Sequence, residues 1–463
     1  MLGLGAAAST IAAEGPVLRV ATSGDYSPFS ISKPARPPVD GAAAADAEPL
    51  SGFDIAVAER FAADRGVRIE FLRFRWPDLG RDLAASSFDV AMSGVTIRTE
   101  RSIAGRFSVP VAATRAVALT WKGSGAVSVE ELDRAPRRIA VNAGGHLEAV
   151  ARRVFRRAEV VAIPDNDAVR MGLLDRAYDA VVTDDFEEKA WTDGVKDIVR
   201  IGPLSDDRKA YLLPAGREQL AAELDRWILA NEANGTLATL RTRFFGDVGG
   251  VATATPLEAL AAAIAERMAI MPHVYEAKRQ VRKEIEDKDQ EAAVLDAALA
   301  ATREAAAAAG TPAPDAMQSR LLFKALIEMG KQVQKRLADD ESARRLATVR
   351  ERVETRRATR AAAEAAGKPA DEPGTDPEED DESDLFVAEP RGPRYDLATE
   401  LRPAIARITG KIARILVAFD KPVSSGEAKL RFAAALAGQD INSGQLDVLA
   451  EAVENISEGG ARR

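Results

Sequence analysis

Residues 178–191 read YDAVVTDDFEEKAW. Ala180–Asp184 is a short apolar, β-branched run of strand length, and the acids behind it suit the start of a helix. The same passage from strand to helix recurs over residues 16–247. Further strand candidates are Val17–Thr22, Arg68–Phe74, Val90–Gly94, Ala116–Trp121, Arg138–Gly144, Val160–Pro164 and Ala210–Leu213. Amphipathic segments such as Ile55–Arg65 and Leu220–Glu232 lie between them. This is the βαβ rhythm of parallel sheets.

Downstream the period changes. Leu257–Ile270, Gln290–Ala309, Ala316–Leu337, Glu341–Ala366 and Leu397–Phe419 carry apolar residues at i, i+3 and i+4 and few β-branched clusters. The expected order is therefore an α/β domain at 16–247, a linker at 248–255 and an all-α domain at 256–463. Residues 1–15 are small and uncharged until Glu14, and read as a tail or the remnant of an export signal. Nine of the fourteen residues 371–384 are acidic, so the insertion 366–395 is expected to be a solvated, self-repelling spacer.

Composition narrows the chemistry. The chain has 463 residues, no cysteine, two histidines and a formal net charge of -9. Disulfides, thiol nucleophiles and Cys-type metal sites are excluded, and a multi-His metal centre has no ligands to draw on. The acidic balance argues against nucleic acid as a partner. No apolar stretch reaches the roughly 18 residues of a membrane span.

Several segments then carry a resemblance: VLRVATSGDYSPFS (17–30), SGFDIAVAERFA (51–62), RWPDLGRDL (75–83), FDVAMSGVTIRTERS (88–102), IAVNAGGHLE (139–148), IPDNDAV (163–169) and KAYLLP (209–214). With the 178–191 stretch they resemble the periplasmic amino-acid solute-binding proteins, and among these the cyclohexadienyl (prephenate/arogenate) dehydratases. The resemblance implies two α/β lobes joined by crossovers near 111–116 and 203–208, with ligand in the cleft. It implies Glu187 as general acid, supported by Asp184, and Arg101 as the grip on a carboxylate, with Thr96 beside it. Trp76 and Phe29 are expected as cleft walls, and Lys209 as a second anion contact. His146 and Leu147 depart from the small polar side chains of the family, so His146 is expected to donate to a substrate oxygen in their place.

The second half carries AERMAIMPHVYEAKRQVRKEIEDKDQEAAVL (265–295) and FKALIEMGKQVQKRL (323–337). Arg267 and Lys278 are three helical turns apart and share a face, as do Asp287 and Glu291. These motifs resemble the all-helical exported chorismate mutases. The resemblance implies Arg267 and Lys278 on the carboxylates and ether oxygen, Asp287 and Glu291 at the ring hydroxyl, and Gln334 as a donor. Gln290 stands where the family has Arg, and Gly330 where it has a small polar residue. A second carboxylate-binding cation on the last helix aligns with Lys411.

Together the halves imply a bifunctional enzyme that takes chorismate to prephenate and then prephenate or arogenate to phenylpyruvate or phenylalanine. It would need no cofactor or metal, would be periplasmic or secreted, and would dimerise through the helical domain. The alternative is a non-catalytic amino-acid receptor with a helical dimerisation domain.

Overall fold

A computed structural model describes residues 15–32, 49–246, 253–365, 395–439 and 441–461. The tail before Gly15, most of the linker and the acidic run 371–384 lie outside these residues. The chain divides into two units, Met1–Ala262 and Ala263–Arg463.

The first unit holds two five-stranded sheets. One runs in the order Arg68–Arg73, Val17–Thr22, Val90–Ala91, Leu212–Pro214, Gly105–Phe107; the other in the order Glu159–Ile163, Arg138–Asn142, Ala180–Asp184, Ala116–Trp121, Ile198–Ile201. The first three strands of each are parallel, as the rhythm predicts. The fourth strand in each runs antiparallel to both neighbours. These fourth strands adjoin the two passages between lobes, and a chain arriving from the opposite lobe enters the sheet from its other end. The passages pair with each other, Ala112–Thr114 antiparallel to Asp207–Lys209.

Strand period and burial agree. In the second sheet Ile139, Val141 and Val182 pack on one face with Leu132 and Phe155. The alternate residues Ala140, Val181 and Leu119 pack on the other face with Leu173 and Trp191. Both faces are covered, which is why these strands read as unbroken apolar runs.

The described residues of the second unit form helices joined by short loops, and no strand. Met271–Gln280, Lys288–Ala309, Ala316–Ala365, Arg402–Val417, Ser425–Ala435 and Ser443–Ala461 follow the helix Pro256–Ala269. The expected pair Ala316–Leu337 and Glu341–Ala366 is one helix of 50 residues. The intervening Ala338-Asp339-Asp340 contains neither Gly nor Pro, so nothing interrupts the ladder. A π-helical turn, Leu397–Leu401, precedes Arg402, and Pro403 sits in the first turn of the helix that follows.

Candidate functional site

The strand Ala180–Asp184 ends where the two lobes face each other. Asp184 Oδ1 caps the next helix, Asp185–Thr192, accepting from the N–H groups of Phe186 and Glu187 at 3.0 Å each. A cap of this kind is worth about 1 kcal/mol. It fixes Glu187 in the first turn with its side chain buried. Glu187 Oε1 accepts from Asn166 Nδ2 at 2.5 Å, and Oε2 accepts from Thr183 Oγ1 at 2.6 Å. Burial, then the neighbouring Asp184 charge, drives the Glu187 pKa up to about 8. The two hydrogen bonds and Lys209 pull the other way and are outweighed.

Asp184 itself is fully buried. Its Oδ2 takes the Tyr26 hydroxyl hydrogen bond and lies 3.9 Å from Lys209 Nζ. Lys209 is buried, donates to Thr96 Oγ1 at 2.9 Å, and sits 4.8 Å from the Tyr26 ring centroid. Arg101, on the helix Thr99–Ala104, donates to the Thr96 carbonyl at 3.2 Å. Burial pulls its pKa down to about 10. Among the described residues Arg101 makes no ion pair, so its charge is open to a ligand. His146 Nε2 lies 2.8 Å from Asp207 Oδ1. Burial works to raise the Asp207 pKa, but the His146 contact, the Ser205 hydrogen bond and the Lys209 charge together outweigh it and hold the group below the usual carboxylate range.

Trp76, Thr96, Arg101, His146, Glu187 and Lys209, the residues the resemblance assigns to the cleft, line one cavity. Tyr26, Asn142 and Asn166 also line it and were not singled out, although all three lie inside quoted motifs; Gly145 and Leu147 line it too. Gly94 is part of the same wall: at φ +61 it adopts a left-handed conformation, and any Cβ would strike the Tyr26 ring. Two expectations shift. Asp184 lies behind Tyr26 rather than on the cavity surface, because its oxygens are spent on the cap and the tyrosine. Phe29 is not a wall but fully buried core, packed on Phe53, Phe186 and Phe245 at 5.1–6.4 Å between ring centroids.

The cavity measures about 40 Å³, whereas an apolar cavity holding benzene measures about 150 Å³. The lobes are closed on each other. Tyr26 reaches Asp184 across the cleft, and Arg98 reaches the Gly145 carbonyl at 3.4 Å. A ring-bearing ligand enters only when the lobes part, a hinge motion open to two lobes joined by paired strands.

In the helical unit Arg267, Lys278, Asp287, Gln290, Glu291 and Gln334 line a second cavity, of about 450 Å³, within the range of small-molecule sites. Arg267 is buried and donates to the Leu326 carbonyl at 2.9 Å. Burial alone lowers its pKa to about 10, and among the described residues no acid offsets it. Lys278 Nζ donates to the Ile285 carbonyl at 2.5 Å, and burial lowers its pKa as well. Asp287 caps the helix Lys288–Ala309 through Gln290 N–H at 3.1 Å. Gln334 Nε2 donates to the Gly330 carbonyl at 3.1 Å, while its buried Oε1 has no partner among the described residues. Gly330 permits close packing: a Cβ there would come within 2.8 Å of Met271 Sδ.

Lys411 does not line this cavity. It is buried in an ion pair with Glu266 at 2.5 Å, because its position in the Arg402–Val417 helix turns it towards that acid. The cation on this helix that does line the cavity is Arg402, 3.8 Å from Asp287 Oδ2. Lys331, 3.0 Å from Glu291 Oε2, is another lining cation. The sequence signal for Arg402 was Pro403, which marks a helix start at that point and not at Leu397.

Residues 18–247 match the model of the bacterial extracellular solute-binding proteins, family 3. Over 229 residues the chain is 32% identical to cyclohexadienyl dehydratase of Pseudomonas aeruginosa, covering 48% of this chain and 81% of that protein. The chain belongs to this family. A second family relative, L-cystine-binding protein TcyJ of Escherichia coli, is 24% identical over 231 residues, covering 50% of this chain and 82% of that one. Among solved structures, the ancestral amino-acid-binding protein AncCDT-1, titled a precursor of cyclohexadienyl dehydratase, is 26% identical with a TM-score of 0.44, and the match covers 50% of this chain and 95% of that one. No helix among the described residues is long and apolar enough to cross a membrane.

Proposed function

We propose that the chain is a bifunctional enzyme: a chorismate mutase in its helical unit and a decarboxylating prephenate/arogenate dehydratase in its two-lobed unit. The observation that carries the lyase half is the buried Glu187, with a pKa near 8, lining the same cavity as the unpaired Arg101. Likeness to cyclohexadienyl dehydratase supports it.

The chemistry needs that pair. Arg101 holds a substrate carboxylate bidentately. Glu187 donates its proton to the ring hydroxyl, and the C–O bond breaks to release water. The ring carboxylate leaves as carbon dioxide, and its bonding electrons complete the aromatic ring. Glu187 is left as a carboxylate and regains a proton from solvent. An ordinary glutamate would be ionised near neutral pH and have no proton to give.

The mutase half is an isomerisation in which one C–O bond breaks, one C–C bond forms and no proton moves. It calls for fixed cations around a compact dianion. Arg267 and Lys278 on the cavity wall, and the second N–H of the Gln334 amide beyond its bond to Gly330, support this reading. Prephenate released by one unit is then the substrate of the other. The family's description as extracellular supports a periplasmic or secreted location, and a homodimer through the helical unit belongs to the same proposal.

The second reading, a non-catalytic receptor with a helical dimerisation domain, draws on the L-cystine-binding relatives. Purified protein given chorismate separates the two. Appearance of phenylpyruvate supports the enzyme; chorismate and prephenate both left untouched, with tight binding of an amino acid, supports the receptor.

A further inference from the structure

We propose that the buried pair Lys411–Glu266 is a positioning device. It holds the helix that carries Arg402 against the helix that carries Arg267, and so sets the spacing of two cations on the helical cavity. This rests on the mutase reading and adds two positioning residues to it.

Arg402 and Lys411 lie nine residues apart on the helix Arg402–Val417, about two and a half turns, so they point to opposite sides. Arg402, Ile405, Ala406 and Thr409 form the cavity side. Lys411 is on the back, and it is buried, as are Ala404, Ile408 and Ile415, which stand within about 60° of it round the helix. On the helix Pro256–Ala269, Glu266 and Arg267 are consecutive, about 100° apart. Arg267 turns to the cavity, and Glu266 turns to Lys411 at 2.5 Å. One ion pair thus ties together the two helices that present these cations.

Apolar packing alone fixes the setting less well. A helix whose back carries Ala404, Ile408 and Ile415 still buries apolar side chains after it turns or slides a little. A charged pair does not tolerate that. The Lys411 and Glu266 side chains are 4% and 3% exposed, and separating them leaves each charge buried away from this partner. That costs far more than a displaced methyl group. Slipping by one turn does not repair it. Arg407 and Arg414, four residues before Lys411 and three after it, are half-buried, and either would bring a larger guanidinium into the space of an ammonium. Fixing register is the best-attested role of buried polar groups. The register matters here because the reaction needs cations held around a compact dianion, and a misplacement of about 1 Å costs up to roughly a hundredfold in rate.

The test replaces both charges by apolar side chains of similar length, Glu266→Met together with Lys411→Met, in the 463-residue chain. The readouts are the melting temperature, kcat/KM for chorismate, and the isoleucine methyl NMR signals of Ile405, Ile408 and Ile412. The melting temperature is expected to equal or exceed that of the wild type, because an apolar pair carries no desolvation cost. The value of kcat/KM is expected to fall roughly tenfold to a hundredfold. Ile405 is expected to give several or broadened signals where the wild type gives one. Wild-type kcat/KM in the double variant, at any melting temperature, overturns the proposal. So does a slow variant whose isoleucine signals match the wild type, since its loss would not come from the helix setting. Should the double variant not fold, the exchanged pair Glu266→Lys with Lys411→Glu takes its place. Wild-type signals and turnover there support the proposal, and a folded but slow enzyme overturns it. If the wild type itself leaves chorismate untouched, the mutase reading falls and Ile405 alone decides the setting. Several signals in the double variant then support the pair as a register pin, and a single wild-type signal overturns it.

Discussion

Asp184 accepts the Glu187 backbone N–H at 3.0 Å and, from the same position, helps to keep the Glu187 side chain protonated. One residue thus both places the candidate acid and tunes it. The placement comes from a helix cap and the tuning from charge repulsion in a buried space, two effects that a short strand-to-helix turn brings together.

Glu187→Gln is expected to lower prephenate turnover about a hundredfold or more while chorismate consumption is unchanged. The amide keeps the size and the hydrogen bonds to Asn166 and Thr183 but has no acidic proton. Steady-state assays of the two half-reactions on one preparation check this, and wild-type prephenate turnover by the variant would remove Glu187 from the mechanism.

The pH dependence has a definite sign. Glu187 must be protonated to act, so the dehydratase rate should fall as pH rises through about 8. Stability follows the same direction. The folded-state pKa is raised above the ordinary value of 4.5, so the contribution is full below about 4.5 and is lost progressively as pH rises to about 8. Asp54, buried beneath Gly94 and Tyr211 and raised to about 7, adds to the loss over an overlapping window. Denaturation midpoints from pH 5 to 8.5 measure the slope, which should be shallower in Glu187→Gln.

Lys278→Ala is expected to remove most chorismate turnover and spare that of prephenate. The ammonium lines the helical cavity, and burial already works against its charge, so it is a poor candidate for a purely structural cation. Unchanged chorismate consumption would make its bond to the Ile285 carbonyl its whole role.

Arg402→Ala is expected to raise the Michaelis constant for chorismate by roughly fivefold to tenfold, the value of one charged hydrogen bond over a neutral one. Gln290→Arg should not lower it. Lys331 and Arg402 already stand at that end of the cavity beside Glu291 and Asp287, and a further cation would be repelled by them. A lower Michaelis constant in Gln290→Arg would show that these two are fully neutralised by their acids.

The alternation of strand and helix was legible because covered parallel strands leave apolar runs, and Ala116–Trp121 and Ala180–Asp184 have the expected bounds. The reversed direction of Ala116–Trp121 was not legible, since strand direction leaves no trace in periodicity. Glu187 and Arg101 were legible through the resemblance that the 178–191 and 88–102 segments carry. The role of Tyr26 was not, because its partner Asp184 is 158 positions away and only the closed lobes join them. Lys411 misled for a related reason. Two cations on one helix, Arg402 and Lys411, cannot be told apart until the buried Glu266 is seen to claim the second.

The most direct measurement of the central claim is a single progress curve. The purified 463-residue chain is given chorismate alone, without cofactor or auxiliary enzyme, and prephenate and phenylpyruvate are followed by chromatography. The account predicts transient prephenate followed by phenylpyruvate, with Glu187→Gln halting the course at prephenate. Chorismate lost no faster than in buffer, together with added prephenate left unconverted, would contradict it.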